Sequence, residues 1–158
     1  IKAAFDKAAE LGLKPLTVAV LDAGGHLVAL MRQDGSSIMR PQIATGKAYG
    51  AVAVGAGSRW LDANAQTRPH FVQALNGAAG GGIVPVPGGV LIRDGEGGEI
   101  LGAVGITGDT SDNDEIAAIA GIEAADALLM VGTSPNLNPN PNPNPYTLTP
   151  NPNPNPNP

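Results

Sequence analysis

From Pro135 to Pro158 the chain reads PNLNPNPNPNPYTLTPNPNPNPNP, and this run decides how much of the protein can fold. Proline fixes φ at about −65°, lacks an N–H, and keeps the residue before it out of the α region. Ten of the 15 prolines lie in this run, and no charged residue follows Asp126. Such an alternation excludes helix and ordinary strand, and predicts an extended, polyproline-II-like rod with a solvated backbone. A fold must therefore come from residues 1–130, with 131–158 an Asn/Pro-rich low-complexity tail. The first segment is long enough for one domain with a modest core.

Aromatic residues make up only 3% of the chain, so that core must be built from Ala, Val, Ile and Leu. The net charge is −5, with no cluster of Lys and Arg to neutralise phosphates, which argues against nucleic acid and anionic membrane surfaces as partners. The absence of cysteine excludes disulfides, thiolate metal sites and a cysteine nucleophile. No apolar run approaches the roughly 20 residues of a membrane span. The sequence starts at Ile1 already within a helical pattern, which fits either a removed leader or further residues upstream.

Ile1, Ala4, Phe5, Ala8 and Leu11 recur at helical spacing, and Gly12 supplies the stop. Leu16–Asp22 and His26–Arg32 read as two strands of a hairpin joined by Ala23-Gly24-Gly25. A second helix is predicted from Pro41, a third over Arg59–Ala65 and a fourth over Pro69–Leu75. The stretch from Gly80 to Gly108 reads as two or three strands, with a bend at Gly88-Gly89 and a hairpin turn at Asp94–Gly98. A last helix starts at Ser111, with Asp114 completing a capping box and Ile116, Ile119, Ala120 and Leu128 on one side. Strands grouped in hairpins predict an α+β domain: an antiparallel sheet of about five strands flanked by helices. Phe5 and Ile119 are expected to pack the first and last helices onto it.

Five blocks carry a resemblance: VAVLDAGGHLVALMRQDGS, ATGKAYGAVAVG, GIVPVPGGVLIRD, GAVGITG and NDEIAAIAG. In this order they resemble the GlcG/HbpS-type haem-degrading domain family, which includes the C-terminal domain of PduO-like corrinoid proteins. The resemblance covers Ile1–Leu128 and leaves the tail from Thr133 onward without a counterpart. It implies a small antiparallel sheet flanked by helices, assembly into homo-oligomers, and haem or a related tetrapyrrole as ligand.

Several residues are candidates for that ligand, each with a plainer alternative. Lys47 shares a helical row with Ile43 and Ala51, so its stem can pack with the ammonium at an edge, or it can hold a carboxylate such as a haem propionate. His26 opens a strand after the Gly24-Gly25 turn; it can cap the turn or ligate iron. His70 is a weaker candidate of the same kind. Gly88 and Gly89, after Pro85 and Pro87, suit either a bulged edge strand or a wall where a flat ligand meets bare backbone. Arg32 and Arg93 are candidate partners, with Lys47, for ligand carboxylates. The acidic run Asp109–Glu115 suits a helix N-terminus and lacks calcium-loop spacing, so no metal site is predicted.

No nucleophile elbow or dinucleotide fingerprint occurs, so whether the chain is an enzyme stays open. The leading reading is a tetrapyrrole-binding module in a self-associating extracellular or surface assembly, with a cytoplasmic location also open. The rivals are a structural subunit of an extracellular polymer whose tail bridges neighbours, and an enzyme of glycolate-like metabolism. The tail has no N-x-S/T sequon, and Tyr146, Thr147 and Leu148 are its predicted anchor on a neighbouring copy's surface or sheet edge.

Overall fold

A computed structural model describes residues 1–95 and 97–130, the last four by backbone only. The tail and its anchor residues Tyr146, Thr147 and Leu148 lie outside the described residues. The element order is α1 (Lys2–Glu10), β1 (Thr17–Asp22), β2 (Leu27–Arg32), α2 (Arg40–Val54), α3 (Ser58–Thr67), α4 (Pro69–Ala78), β3 (Gly89–Arg93), β4 (Ile100–Thr107) and α5 (Ser111–Met130). This is an α+β fold. Its open sheet has four strands in the order β2-β1-β4-β3, all neighbours antiparallel.

Local chemistry accounts for the boundaries. Gly12 and Gly55 adopt positive φ of 65° and 68°, which closes α1 and α2 where a side chain would be strained. In the β1–β2 hairpin the Asp22 carboxylate accepts the Gly24 and His26 backbone N–H groups, both at 2.9 Å, while Gly25 takes φ 79°. Pro41 sits in the first turn of α2, where a missing N–H costs nothing.

Alternation along the strands builds two apolar faces. Val18, Val104 and Ile106 pack with Ala4 and Ala8 of α1 and Ala117 and Ala118 of α5. Ala19, Leu21 and Ala103 face Ala44, Ala48 and Ala51 of α2 on the other side. With so much alanine, helix backbone comes very near the sheet. A Cβ placed on Gly105 of β4 would run into the Ala44 carbonyl. In the same way Gly121 of α5 leaves room for Ala4, which a Cβ would meet at 3.3 Å.

Three expectations are corrected. The sheet has four strands, because Gly80–Gly88 forms a loop across α2: Pro85 and Pro87 cannot donate, and Val84 N donates to Gly46 O at 3.2 Å. Ile119 is 40% exposed and Ile116 is 45% exposed, so neither packs α5 onto the sheet. The inward row runs through Asp114, Ala117, Ala118, Gly121 and Ile122, at i, i+3, i+4, i+7 and i+8. Phe5 does pack against the α1–α5 side of the core. Finally, Thr110 rather than Ser111 caps α5, its Oγ1 accepting Asn113 N at 3.3 Å. The Asp114 carboxylate is engaged elsewhere.

The close α2–β4 approach predicts that Gly105→Ala destabilises the domain by about 1–3 kcal/mol, as overpacking does. Gly77, in α4, is the control, because a Cβ added there would meet nothing within 4 Å. Gly77→Ala should stabilise by about 0.5–1 kcal/mol. Urea unfolding of both variants checks the pair of signs.

Candidate functional site

Lys47 lies in the middle of α2 on its buried side, and its side chain is 2% exposed. Its ammonium donates to Asp114 Oδ2 at 2.8 Å and to the Ile106 carbonyl of β4 at 2.9 Å. Asp114 is 1% exposed, and its other oxygen accepts Asp109 N at 3.0 Å. The carboxylate that Lys47 holds is thus the protein's own. Burial pushes the Lys47 ammonium below the usual lysine range and Asp114 above the usual carboxylate range, and each partner opposes the other's shift.

The Gly88-Gly89 bend closes over this pair. Gly88 has φ +116°, and a Cβ there would lie 2.9 Å from Lys47 Nζ and 2.7 Å from Ile106 O. A Cβ on Gly89 would run into the Lys47 carbonyl. Gly88 O accepts Ile106 N at 2.9 Å. Ser58, at the start of α3, accepts Gly89 N at 2.7 Å and donates to Val86 O at 2.7 Å. The two glycines therefore fit around the ion pair, and the space a flat ligand would need beside them is taken by Lys47, Ile106 and Ser58.

Around this centre the charges continue outward. Arg40 donates to Thr107 Oγ1 at 2.6 Å, and Arg59 of α3 bonds Glu115 and Asp112 in the first turns of α5. Sequence reasoning missed Asp114, Ser58, Arg40 and Arg59 as a group. The usable signal was Asp114 at the head of the small-residue row Ala117, Ala118 and Gly121.

The other candidates lie apart from Lys47. His26 is exposed in the β1–β2 turn, with Nδ1 3.3 Å from Asp22 Oδ1. That Asp22 carboxylate is held below the usual range, chiefly by the His26 backbone N–H. Arg32 is exposed on β2 and donates to Ser36 O at 2.8 Å. Arg93, on β3, donates to Gly98 O at 2.9 Å and Gly55 O at 3.2 Å. Since β2 and β3 are the two outer strands, Arg32 and Arg93 do not converge with each other or with Lys47. Next to the His26 turn, an open groove of about 370 Å³ runs between β2 and α2, lined by Leu27, Leu30, Pro41, Thr45, Gly46 and Gly82. Among the described residues no three metal-ligating side chains are grouped. No described helix is long and apolar enough to cross a membrane.

Comparison with known proteins places this architecture in a class, the α+β domains exemplified by Klebsiella pneumoniae protein ORFY. That crystal structure is 24% identical, has a TM-score of 0.71, and is matched over 80% of this chain and 85% of its own. The particular family follows from the sequence: residues 1–123 match the family described as haem degrading protein HbpS-like, and the chain belongs to it. The PduOC:haem complex is 26% identical with a TM-score of 0.68, over 78% of this chain and 86% of that one. A double mutant of Streptomyces reticuli HbpS is 27% identical with a TM-score of 0.65, over 78% and 79% of the two chains. No curated protein sequence matches this chain.

Removing one partner of the buried pair should be costly. Lys47→Ala leaves Asp114 buried without its counter-charge and is expected to destabilise by about 3–5 kcal/mol. The double change Lys47→Met with Asp114→Leu should cost much less, and chemical denaturation of the three proteins measures this. Asp109 gives a pH test. The Asn113 amide first, then the Lys14 and Thr110 backbone N–H groups, depress its pKa from 3.8 to about 2. Its contribution is therefore complete above 3.8 and lost as pH falls toward about 2. The stability difference between wild type and Asp109→Ala should shrink across that window and stay constant above it.

Proposed function

We propose that this domain binds haem or a closely related tetrapyrrole in the groove between β2 and α2, with His26, the residue before the lining Leu27, as the nitrogen offered to iron. The observation that carries this reading is the family match over residues 1–123. The likeness to the PduOC:haem complex supports it. The groove suits a flat apolar ring: Leu27, Leu30 and Pro41 give apolar walls, and Gly82 adds exposed backbone with no side chain. His26 has an exposed imidazole, the side chain that most often ligates haem iron.

Of the remaining candidates, Arg32 is exposed on the same strand and is the cation offered to a propionate. Lys47, Gly88 and Gly89 act one layer inward, fixing α2 against β4, while Arg93 belongs to the other edge of the sheet. Any oxidative degradation would be chemistry supplied by the bound iron. The chain's part is to bind and orient the ring and to hold water away from one face of it.

We further read the protein as a self-associating, extracellular or surface-located chain whose tail reaches a neighbour. An uncharged, proline-fixed spacer after a folded domain supports this. Deleting Pro135–Pro158 should leave the domain folded and reduce its assembly to a smaller species in light scattering.

Haemin titration of the purified full-length chain tests the ligand. A Soret shift at micromolar haemin is expected. His26→Ala should alter the Soret position and weaken binding at least about tenfold, which is about 1.4 kcal/mol. No spectral change in the wild type would remove the tetrapyrrole reading, and an unaltered spectrum in His26→Ala would remove His26 from it.

A further inference from the structure

The two outer strands of the sheet are finished differently. On β3, Arg93 ties the strand to Gly55, and α3 packs beside it through Ser58 and Gly89. On β2, Leu27, Val28 and Met31 are 54%, 66% and 54% exposed, and no charge or proline occurs before Arg32. Edges of soluble domains are normally blunted by charge, proline or a bulge, because their free N–H and C=O groups template another strand.

Here the edge is blunted over only part of its length. The β1–β2 register pairs Val18 with Met31, Ala19 with Leu30 and Val20 with Ala29, then slips so that Leu21 meets Leu27 and Val28 is passed over. The regular edge is thus Ala29–Arg32, four residues. Gln33 N donates to Leu16 O at 2.9 Å, so by antiparallel alternation Met31 and Ala29 turn their backbone groups toward β1. Leu30 and Arg32 turn theirs outward. Met31 shares the face of Val18, where its side chain is more than half exposed.

We propose that the occupant of this edge is Tyr146–Thr149 from the tail of a second copy, added as a strand along Ala29–Arg32. From Pro135 onward this is the longest stretch without proline, and it is four residues long between Pro145 and Pro150. Its length matches the regular edge, and the flanking prolines, which cannot donate, end the pairing at both sides. Tyr and Thr favour extended pairing, and Tyr146 and Leu148 alternate so that both fall on one face, beside Met31. Recognition by strand addition takes its affinity from the main chain and its selectivity from alternate side chains.

Reach and stiffness point to a second copy. The fifteen residues 131–145 would reach about 46 Å if extended as polyproline II. A domain of this size has a radius of gyration of about 14 Å. A proline-rich rod of that length leads past its own domain more readily than it reverses onto it. Donor and acceptor lie on different parts of one chain, so the contact is head-to-tail and propagates where the symmetry does not close.

The test uses the full-length chain and hydrogen exchange of the peptide covering Leu30 and Arg32. Thr147→Pro removes a pairing N–H, and Leu148→Asp puts a charge on the apolar side; both lie outside the domain and leave its fold to be confirmed by circular dichroism. At concentrations where the wild type is assembled, the two amides should be protected. Exchange should accelerate about tenfold or more in both variants, together with loss of assembly in light scattering. Equal protection in wild type and variants would overturn the proposal and assign the edge to the body of a second domain. Protection that persists in dilute, monomeric wild type would overturn the exchange between copies. Haemin binding is read separately by its Soret band, so failure of either idea leaves the other standing.

Discussion

A lysine and an aspartate with almost no solvent exposure hold this domain's layers in register. Lys47 comes from α2 on one side of the sheet and Asp114 from α5, whose apolar row faces the other. Their ammonium and carboxylate meet at the end of β4, where the Ile106 carbonyl accepts a second hydrogen bond from the lysine. A buried ion pair returns little net stability, because taking both charges out of water costs about as much as their attraction gives. Its effect is geometric. Any sliding of α2 along β4, or rotation of α5, would leave a charge buried without its partner.

That constraint explains where the small residues fall. Alanine and glycine on α2 and β4 let two backbones approach until only hydrogen fits at Gly105. Only Gly88 and Gly89 can close over Lys47 without displacing its nitrogen or its carbonyl. Ser58 then bonds both sides of the bend, joining α3 to the same centre. With the interior around Lys47 this full, the proposed ligand is placed outside it, on the open side of α2 along β2. The proposed tetrapyrrole groove and the proposed edge contact both border that strand.

Much of the fold was legible because it depends on local rules. The β1–β2 hairpin follows from two apolar runs and an Ala-Gly-Gly link, and the starts of α2 and α4 from Pro41 and Pro69. The expected third strand in Gly80–Gly108 failed because its apolar β-formers suggest a strand that Pro85 and Pro87, with no N–H to donate, cannot complete. The α5 face was misread because its inward row starts with an aspartate and continues with alanine and glycine, so the isoleucines gave the louder signal. Lys47 and the two glycines were read as candidates for one ligand, because a single side chain cannot announce its partner 67 residues away. Arg32 and Arg93 looked equivalent in sequence; only strand order separates them to opposite edges.

The ion pair can be observed directly in solution. In the folded, ligand-free protein, ¹⁵N-selective NMR of the lysine side chains should show one ammonium resonance, that of Lys47, with slow solvent exchange. It should also be coupled across a hydrogen bond to the Asp114 carboxyl carbon. A Lys47 ammonium that exchanges as fast as those of the surface lysines would contradict the account, because it would mean that the charge on α2 faces water and does not lock the layers together.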